Sequence, residues 1–220
     1  MRLFAGCTWA LPSWVERMKK QFSLLRTFRR GEFRHFLWIT AASFLFLTVL
    51  GFLLGLLLPE LSANAVEFFS MVVEQSGMAQ EDGTLNVILL FFNNFRAMLT
   101  GILYGLIPFL FLPAVSLGLN AMLIGLFGSL FVRNGMGLLV YLAGILPHGI
   151  FEIPALVCSI ACGIYLCRSI TNYVKHNEKG IVKAAIGDCL RLFLIVITPL
   201  LIIAAFIECY VTPMVMALFL

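Results

Sequence analysis

The chain has 220 residues, of which 61% are hydrophobic and 12% charged, with a formal net charge of +4. Soluble domains carry about twice that share of charged residues, so a soluble enzyme or binding domain is excluded. The basic residues flank hydrophobic runs, which is typical of membrane topology signals and not of nucleic-acid binding. The composition predicts an all-α, polytopic transmembrane helix bundle, with the lipid bilayer as partner, no nucleic acid and no cofactor.

Residues 1–34 form a basic segment ahead of the first long apolar run. Pro12 is placed to open a helix, in which Trp14, Met18 and Phe22 recur at helical spacing between basic residues. We expect a cytoplasmic amphipathic segment that either lies on an anionic membrane face or extends as a solvated tail. Its basic residues are spread too widely for a secretory signal, so the first span should remain as an anchor.

The first predicted span covers residues 35–58, which is enough for a crossing that needs ~20 apolar residues. It contains Gly51 and Gly55, a GxxxG pair that allows a second helix to approach closely. Pro59 ends it. A transmembrane domain over residues 35–213 begins with this span.

Residues 60–86 carry five acidic and no basic residues, so we expect an extracytoplasmic loop. An apolar stripe predicts a short helix lying on the outer leaflet, formed by Leu61, Ala65, Phe68, Phe69, Val72 and Val73. Gly77 and the turn residues 81–84 should end this helix.

Spans two and three are expected at residues 87–112 and 114–132, as a tight hairpin with its turn near Pro113. Span two contains a second GxxxG pair, Gly101 and Gly105, and span three contains Gly125. Small residues at these positions predict close helix contacts.

The apolar run 137–167 has 31 residues, about 46 Å as one straight helix and longer than a ~30 Å hydrocarbon core. Pro147 and Gly149 predict a break in this helix. The run is then either one broken span or a re-entrant segment followed by a span. Residues 168–189 are basic and should form a cytoplasmic loop.

The last span is expected at residues 190–207, and the apolar tail 214–220 is too short to cross. Five crossings result. Charge bias places the N-terminus in the cytoplasm and the C-terminus outside the cell membrane.

Polar side chains in a membrane usually face the bundle interior. Those expected there are Asn93, Asn94, Arg96, Asn120, His148, Glu152 and Glu208. His148 and Glu152 share a helix face. A buried carboxylate needs a cation or a donor, so we expect Arg96 to pair with Glu152.

This polar set has three open interpretations. It stabilises the fold by mutual pairing, it forms a proton or ion pathway, or it binds a metal through His148 and Glu152. We favour the first, because proton relays generally need a chain of ionisable groups. HExxH, GxSxG and Walker-type motifs are lacking, so the sequence predicts neither an enzyme nor a metal site.

Six cysteines are present without a CxxC pair. We expect buried, reduced side chains, since a disulfide framework is atypical of so apolar a chain. A soft-metal site formed by Cys158, Cys162 and Cys167 is the alternative.

The segment 146–155 reads LPHGIFEIPA, with Pro147, His148, Gly149 and Glu152 forming a PHGxxE pattern. It resembles the signature of the stage II sporulation protein M family. Further matches are the pair Asn93–Asn94 ahead of Gly101 and Gly105, Asn120 with Gly125, and the closing segment 207–213. The resemblance covers about residues 35–213. Ala121 stands where the family often has glycine, and Arg96 has no assigned place in its pattern.

The resemblance implies an integral membrane protein whose namesake anchors cell-wall hydrolases during engulfment in spore-forming bacteria. Relatives in organisms that do not sporulate have no established role. We therefore expect a non-enzymatic membrane scaffold that positions other membrane or cell-envelope proteins. A small transporter or channel is the alternative, and a homo-oligomer is left open.

Overall fold

The computed structural model describes residues 13–76, 85–177 and 180–219. Within these ranges the chain is built from helices, whose bounds are α1 Ser13–Arg30, α2 Phe33–Leu57, α3 Pro59–Ser76, α4 Val87–Leu103, α5 Leu112–Arg133, α6 Leu138–His176, α7 Ile181–Leu192, α8 Thr198–Phe206 and α9 Thr212–Met216. The expected helix opening at Pro12 and the expected turn at 77–84 lie outside the described residues.

Five helical stretches in the described part are long and apolar enough to cross a membrane: Phe33–Leu57, Val87–Leu106, Leu112–Arg133, Leu138–His176 and Ile181–Met216. The prediction of an all-α bundle with five spans is confirmed. The last stretch runs through α7, α8 and α9 without a loop, because π-helical turns at Phe193–Ile197 and Ile207–Val211 join them.

A glycine seam, formed by Gly51, Gly55 and Gly125, joins α2 to α5. A Cβ atom on Gly51 would lie 2.6 Å from the Met122 carbonyl oxygen, and one on Gly125 would lie 2.1 Å from the Thr48 carbonyl oxygen. Because residue numbers rise together along both helices at these contacts, α2 and α5 run parallel. The backbones touch, as the GxxxG pattern predicts.

A second close contact joins the span Val87–Leu106 to α6. A Cβ atom on Gly105 would lie 2.1 Å from the carbonyl oxygen of Gly163, whereas one on Gly101 would meet the Ser159 side chain at 3.3 Å. The Ser159 hydroxyl donates a hydrogen bond to the Met98 carbonyl oxygen across this contact. The partner residues Ser159 and Gly163 are themselves a small-xxx-small pair, a signal available in the sequence.

The predicted break at Pro147–Gly149 is wrong, because α6 continues as one helix through both Pro147 and Pro154. Proline removes one backbone hydrogen bond, and a transmembrane helix tolerates this where neighbouring helices cover it. Helix α6 packs against α2, α4, α5, α8 and α9, which supplies that cover. At ~1.5 Å per residue it is about 58 Å long, so it extends beyond the ~30 Å hydrocarbon core.

Residues 168–189 are not the loop that charge alone suggested. The described residues of this range belong to the end of α6 and to α7, and Asn177 is in the left-handed conformation where α6 ends. The short helix predicted within residues 60–86 is present as α3, which is anchored by Ser62. The buried Ser62 hydroxyl donates to the Gly55 carbonyl oxygen at 3.1 Å.

The basic N-terminal segment forms α1 and packs on the bundle through aromatic rings. Phe28 stacks on Phe33 with ring centroids 4.3 Å apart, and Tyr165 of α6 packs against both rings edge-on. The Arg191 guanidinium bonds the Gln21 amide oxygen at 2.7 Å and also contacts the Asp188 carboxylate. Helix α1 is therefore part of the folded unit, while its position relative to the bilayer stays a prediction.

Candidate functional site

The candidate site is a polar cluster of four residues, His148, Glu152, Glu208 and Thr212. Helix α6 places His148 and Glu152 one turn apart on the same face, with His148 Nε2 4.0 Å from Glu152 Oε2. Both side chains are partly buried. That distance is longer than a hydrogen bond, so the carboxylate is not held by the imidazole directly.

The last span supplies the other two side chains. Glu208 lies in the π-helical turn Ile207–Val211, and Thr212 begins α9 directly after it. A π-helical turn adds a residue to the helical repeat and so changes which face later side chains occupy. His148, Glu152 and Glu208 each contribute one potential ligand atom, and these three atoms lie within 4.8 Å of one another.

The hydrogen bonds around Thr212 favour one tautomer of His148. The Thr212 hydroxyl donates to the Ile207 carbonyl oxygen at 3.3 Å, so its oxygen is the acceptor for His148 Nδ1–H at 3.2 Å. In the neutral ring the other nitrogen, Nε2, then carries the lone pair. The cluster therefore brings together an imidazole lone pair and two carboxyl groups, a donor set that can bind a cation or share protons.

The other polar residues predicted for the site do not join this cluster. The expected Arg96–Glu152 pair is wrong, because Arg96 is exposed on α4 and makes no ion pair among the described residues. Asn93 is exposed as well, Asn94 is half-buried, and Asn120 is exposed and donates to the Ser116 carbonyl oxygen within α5. The reason is steric. Gly101 and its neighbours face α6, so Arg96 is directed to the opposite side of the helix.

Thr212 belongs to the cluster but was not among the polar residues predicted from the sequence. Hydroxyl groups are common in transmembrane helices, where they often bond their own backbone, so a threonine alone is a weak signal. Its position beside Pro213, four residues after Glu208, belongs to the segment that carried the family resemblance.

The alternative soft-metal site of three cysteines is not formed. In the described part of the chain, the metal-capable side chains that converge are His148, Glu152 and Glu208. The Cys167 thiol instead faces the Ile107 carbonyl oxygen at 3.4 Å, and the Cys189 thiol faces the Cys162 carbonyl oxygen at 3.6 Å. These thiols are buried packing groups.

Two open clefts lie among the described residues, and neither is lined by the polar cluster. One, of about 250 Å³, is an apolar cleft between α4 and α8 beside Phe91 and Phe206. The other, of about 620 Å³, lies between the end of α6 and α7 and is bordered by Tyr173 and Lys183.

Comparison with known proteins adds a family and one relative. A family model described as Stage II sporulation protein M matches residues 40–213. An uncharacterized protein of Methanocaldococcus jannaschii is 39% identical over 129 residues, covering 54% of this chain and 71% of that protein. No solved structure matches. The range matched by the family model contains both the glycine seam and the polar cluster.

Proposed function

This chain belongs to the stage II sporulation protein M family, and from that premise we propose that it is a non-enzymatic scaffold of the cell membrane. Its role is to hold partner membrane or cell-envelope proteins in position. In a spore-forming host the partners would belong to cell-wall remodelling, the class that the family resemblance implies. The observation that carries the proposal is the outward position of Arg96.

Arg96 lies midway along the span Val87–Leu106 and is exposed. It is about 14 Å from either end of that span at ~1.5 Å per residue. An arginine side chain at the centre of a membrane helix costs about 2.5–3.5 kcal/mol when it is inserted into lipid. A protein surface that covers Arg96 removes this cost, so its position indicates a docking face.

Asn93 extends the same face. It precedes Arg96 by three positions, so the two side chains are neighbours on α4, and both are exposed. Asparagine side chains hydrogen-bond across transmembrane interfaces, for about 0.6 kcal/mol on average for polar groups of this kind. The partner surface should therefore present a carboxylate to Arg96 and an amide or hydroxyl group to Asn93.

The main alternative is a transporter or channel, and the polar cluster is the observation that favours it. Intramembrane ionisable residues often mark ion pathways, but the two clefts described above are not lined by the cluster. Proteoliposome flux separates the two functions. A pathway predicts that Glu152→Gln folds normally and abolishes proton- or ion-coupled flux, whereas a scaffold shows no such flux in the unmodified protein.

Site-specific photocrosslinking tests the docking face. A benzoylphenylalanine residue replaces Asn93 in one variant and Leu194, an exposed residue of the last span, in a control. We expect a discrete adduct with a different membrane or envelope protein from position 93 and lipid adducts from position 194. Adding Arg96→Ala should weaken the protein adduct at least tenfold, while Arg96→Lys retains most of it.

The scaffold proposal fails if position 93 yields lipid adducts or only a second copy of this chain. It also fails if positions 93 and 194 capture the same proteins, because the capture is then not directed by the face of α4. Mass spectrometry of the adducts distinguishes these outcomes.

The proposal includes an orientation, with α1 and α7 in the cytoplasm and α3 outside. Its basis is charge, with eight basic residues in 2–34, none in 60–86 and five in 168–191. A cysteine at position 67 in the exposed part of α3 should react with an impermeant thiol reagent added outside intact cells. Labelling of that position only after the cells are opened contradicts the orientation.

A further inference from the structure

We propose that His148, Glu152 and Glu208 form a binding site for one divalent first-row transition cation. The three ligand atoms lie within 4.8 Å of one another. They come from α6 and from the π-helical turn of the last span, so a shared cation would cross-link these two elements. The proposal stands independently of the scaffold function.

The first line of support is the orientation of the imidazole. Thr212 accepts the Nδ1–H bond of His148 at 3.2 Å, while its own hydroxyl proton is directed at the Ile207 carbonyl oxygen at 3.3 Å. Metal-binding histidines are typically fixed in this way, with one ring nitrogen donating to an oxygen and the other facing the metal. Here the nitrogen left for the metal, Nε2, faces the Glu152 carboxylate at 4.0 Å.

The second line of support is the charge in the cluster. In the described part of the chain, the Glu152 carboxylate lies 4.0 Å from the His148 imidazole, and the basic residue Arg191 pairs with Asp188. Neither glutamate of the cluster therefore meets a lysine or an arginine. Two carboxyl groups within a membrane span need either protons or a cation to offset their desolvation. A divalent cation neutralises both carboxylates at once.

The donor set indicates the class of cation. One imidazole and two carboxylates suit zinc and related divalent transition metals. Bonds of about 2.0–2.2 Å place ligand atoms ~3.4 Å apart in a tetrahedral site, so ligand atoms up to 4.8 Å apart need to approach by up to ~1.4 Å. Three protein ligands leave a fourth position for water or another small ligand.

Metal titration of the full-length protein in detergent tests the site. The protein is treated with a chelator, freed of it and titrated with Co²⁺, whose absorption spectrum distinguishes imidazole and carboxylate ligands from thiolates. We expect one Co²⁺ per chain by equilibrium dialysis, a spectrum without thiolate bands, and a higher Tm in the presence of the cation. A protein that takes up no Co²⁺ overturns the proposal and leaves shared protons as the counter-charge.

Substitutions locate the bound metal. Glu152→Gln and Glu208→Gln preserve side-chain shape and should each weaken Co²⁺ binding at least tenfold, and both should lose the Tm increase. Cys209→Ser, next to Glu208, is the matched control and should bind as the unmodified protein does. Equal binding by all variants, or loss of binding in Cys209→Ser, places the metal elsewhere and overturns the proposal.

Thr212 is a positioning residue in this scheme, because it contacts His148 and not the cation. Thr212→Val removes the acceptor for Nδ1–H and should weaken Co²⁺ binding about 10- to 100-fold, the usual effect of losing such a partner. Thr212→Ser keeps the hydroxyl and should restore binding. A serine variant as weak as the valine variant contradicts the assigned tautomer.

Discussion

The glycine seam and the polar cluster lie in the same bundle. They differ in whether this chain alone supplies all the contacts that they need. At the seam, each glycine meets an atom of this chain at contact distance, such as the Thr48 carbonyl oxygen against Gly125. At the cluster, neither Glu152 nor Glu208 pairs with a lysine or an arginine within the described residues, and the His148 imidazole lies 4.0 Å from the Glu152 carboxylate. One chain can complete its own packing contacts, whereas incomplete charge pairing at membrane depth indicates an additional component.

The largest loss of stability is expected from a substitution in the glycine seam. Gly125→Leu introduces a side chain whose Cβ atom would lie 2.1 Å from the Thr48 carbonyl oxygen and 2.5 Å from the Phe52 nitrogen. Backbone atoms cannot move aside as a flexible side chain does, so we expect a loss of about 3 kcal/mol or more. Thermal unfolding in detergent measures it. Gly118→Leu in the same helix is the control, since it has open space, and equal losses from both variants contradict the seam.

An intermediate effect on stability is expected at the contact between α5 and α6, next to the glycine seam. The Tyr141 hydroxyl donates to the Ile124 carbonyl oxygen of α5, and its ring covers Gly128. Tyr141→Phe keeps the ring and removes one interhelical hydrogen bond, which should lower the free energy of unfolding by about 1 kcal/mol. Tyr173→Phe, an exposed tyrosine of the same helix, should leave the Tm unchanged. A Tyr141→Phe protein as stable as the unmodified one would show that this bond is dispensable.

The smallest effect is expected at the cluster when metal is removed. Glu208 has no hydrogen-bond or ion-pair partner among the described residues, so Glu208→Gln leaves no group unpaired. An amide is also cheaper to bury than a carboxylate. The free energy of unfolding of the chelator-treated protein should change by less than about 0.5 kcal/mol. A loss as large as that of Gly125→Leu would mean that the chain already completes the cluster by itself.

The spans and the seam could be predicted from the sequence because they depend on local patterns. A span needs about 20 apolar residues, and a close helix contact needs small residues four positions apart. Gly51, Gly55, Gly101 and Gly105 satisfy the second rule. Such rules hold for each helix taken alone, whichever neighbour it meets.

Features that depend on neighbouring helices could not be predicted in the same way. Pro147 was expected to break α6, but a helix surrounded by other helices remains continuous through it. Arg96 was expected to face inward, but Gly101 occupies the face of α4 that meets α6. The meeting of Glu208 with His148 depends on a π-helical turn, for which the sequence has no clear signal.

The parallel arrangement of α2 and α5 has a consequence for the order in which the protein is made. The seam is complete once the ribosome has delivered residue 133, because its glycines and their contacts lie in Phe33–Leu57 and Leu112–Arg133. The polar cluster, by contrast, needs Thr212 near the end of the described chain. The first and third spans can therefore pack together during translation, whereas Glu152 is synthesised before Glu208, and the cluster forms only when the last span has been made.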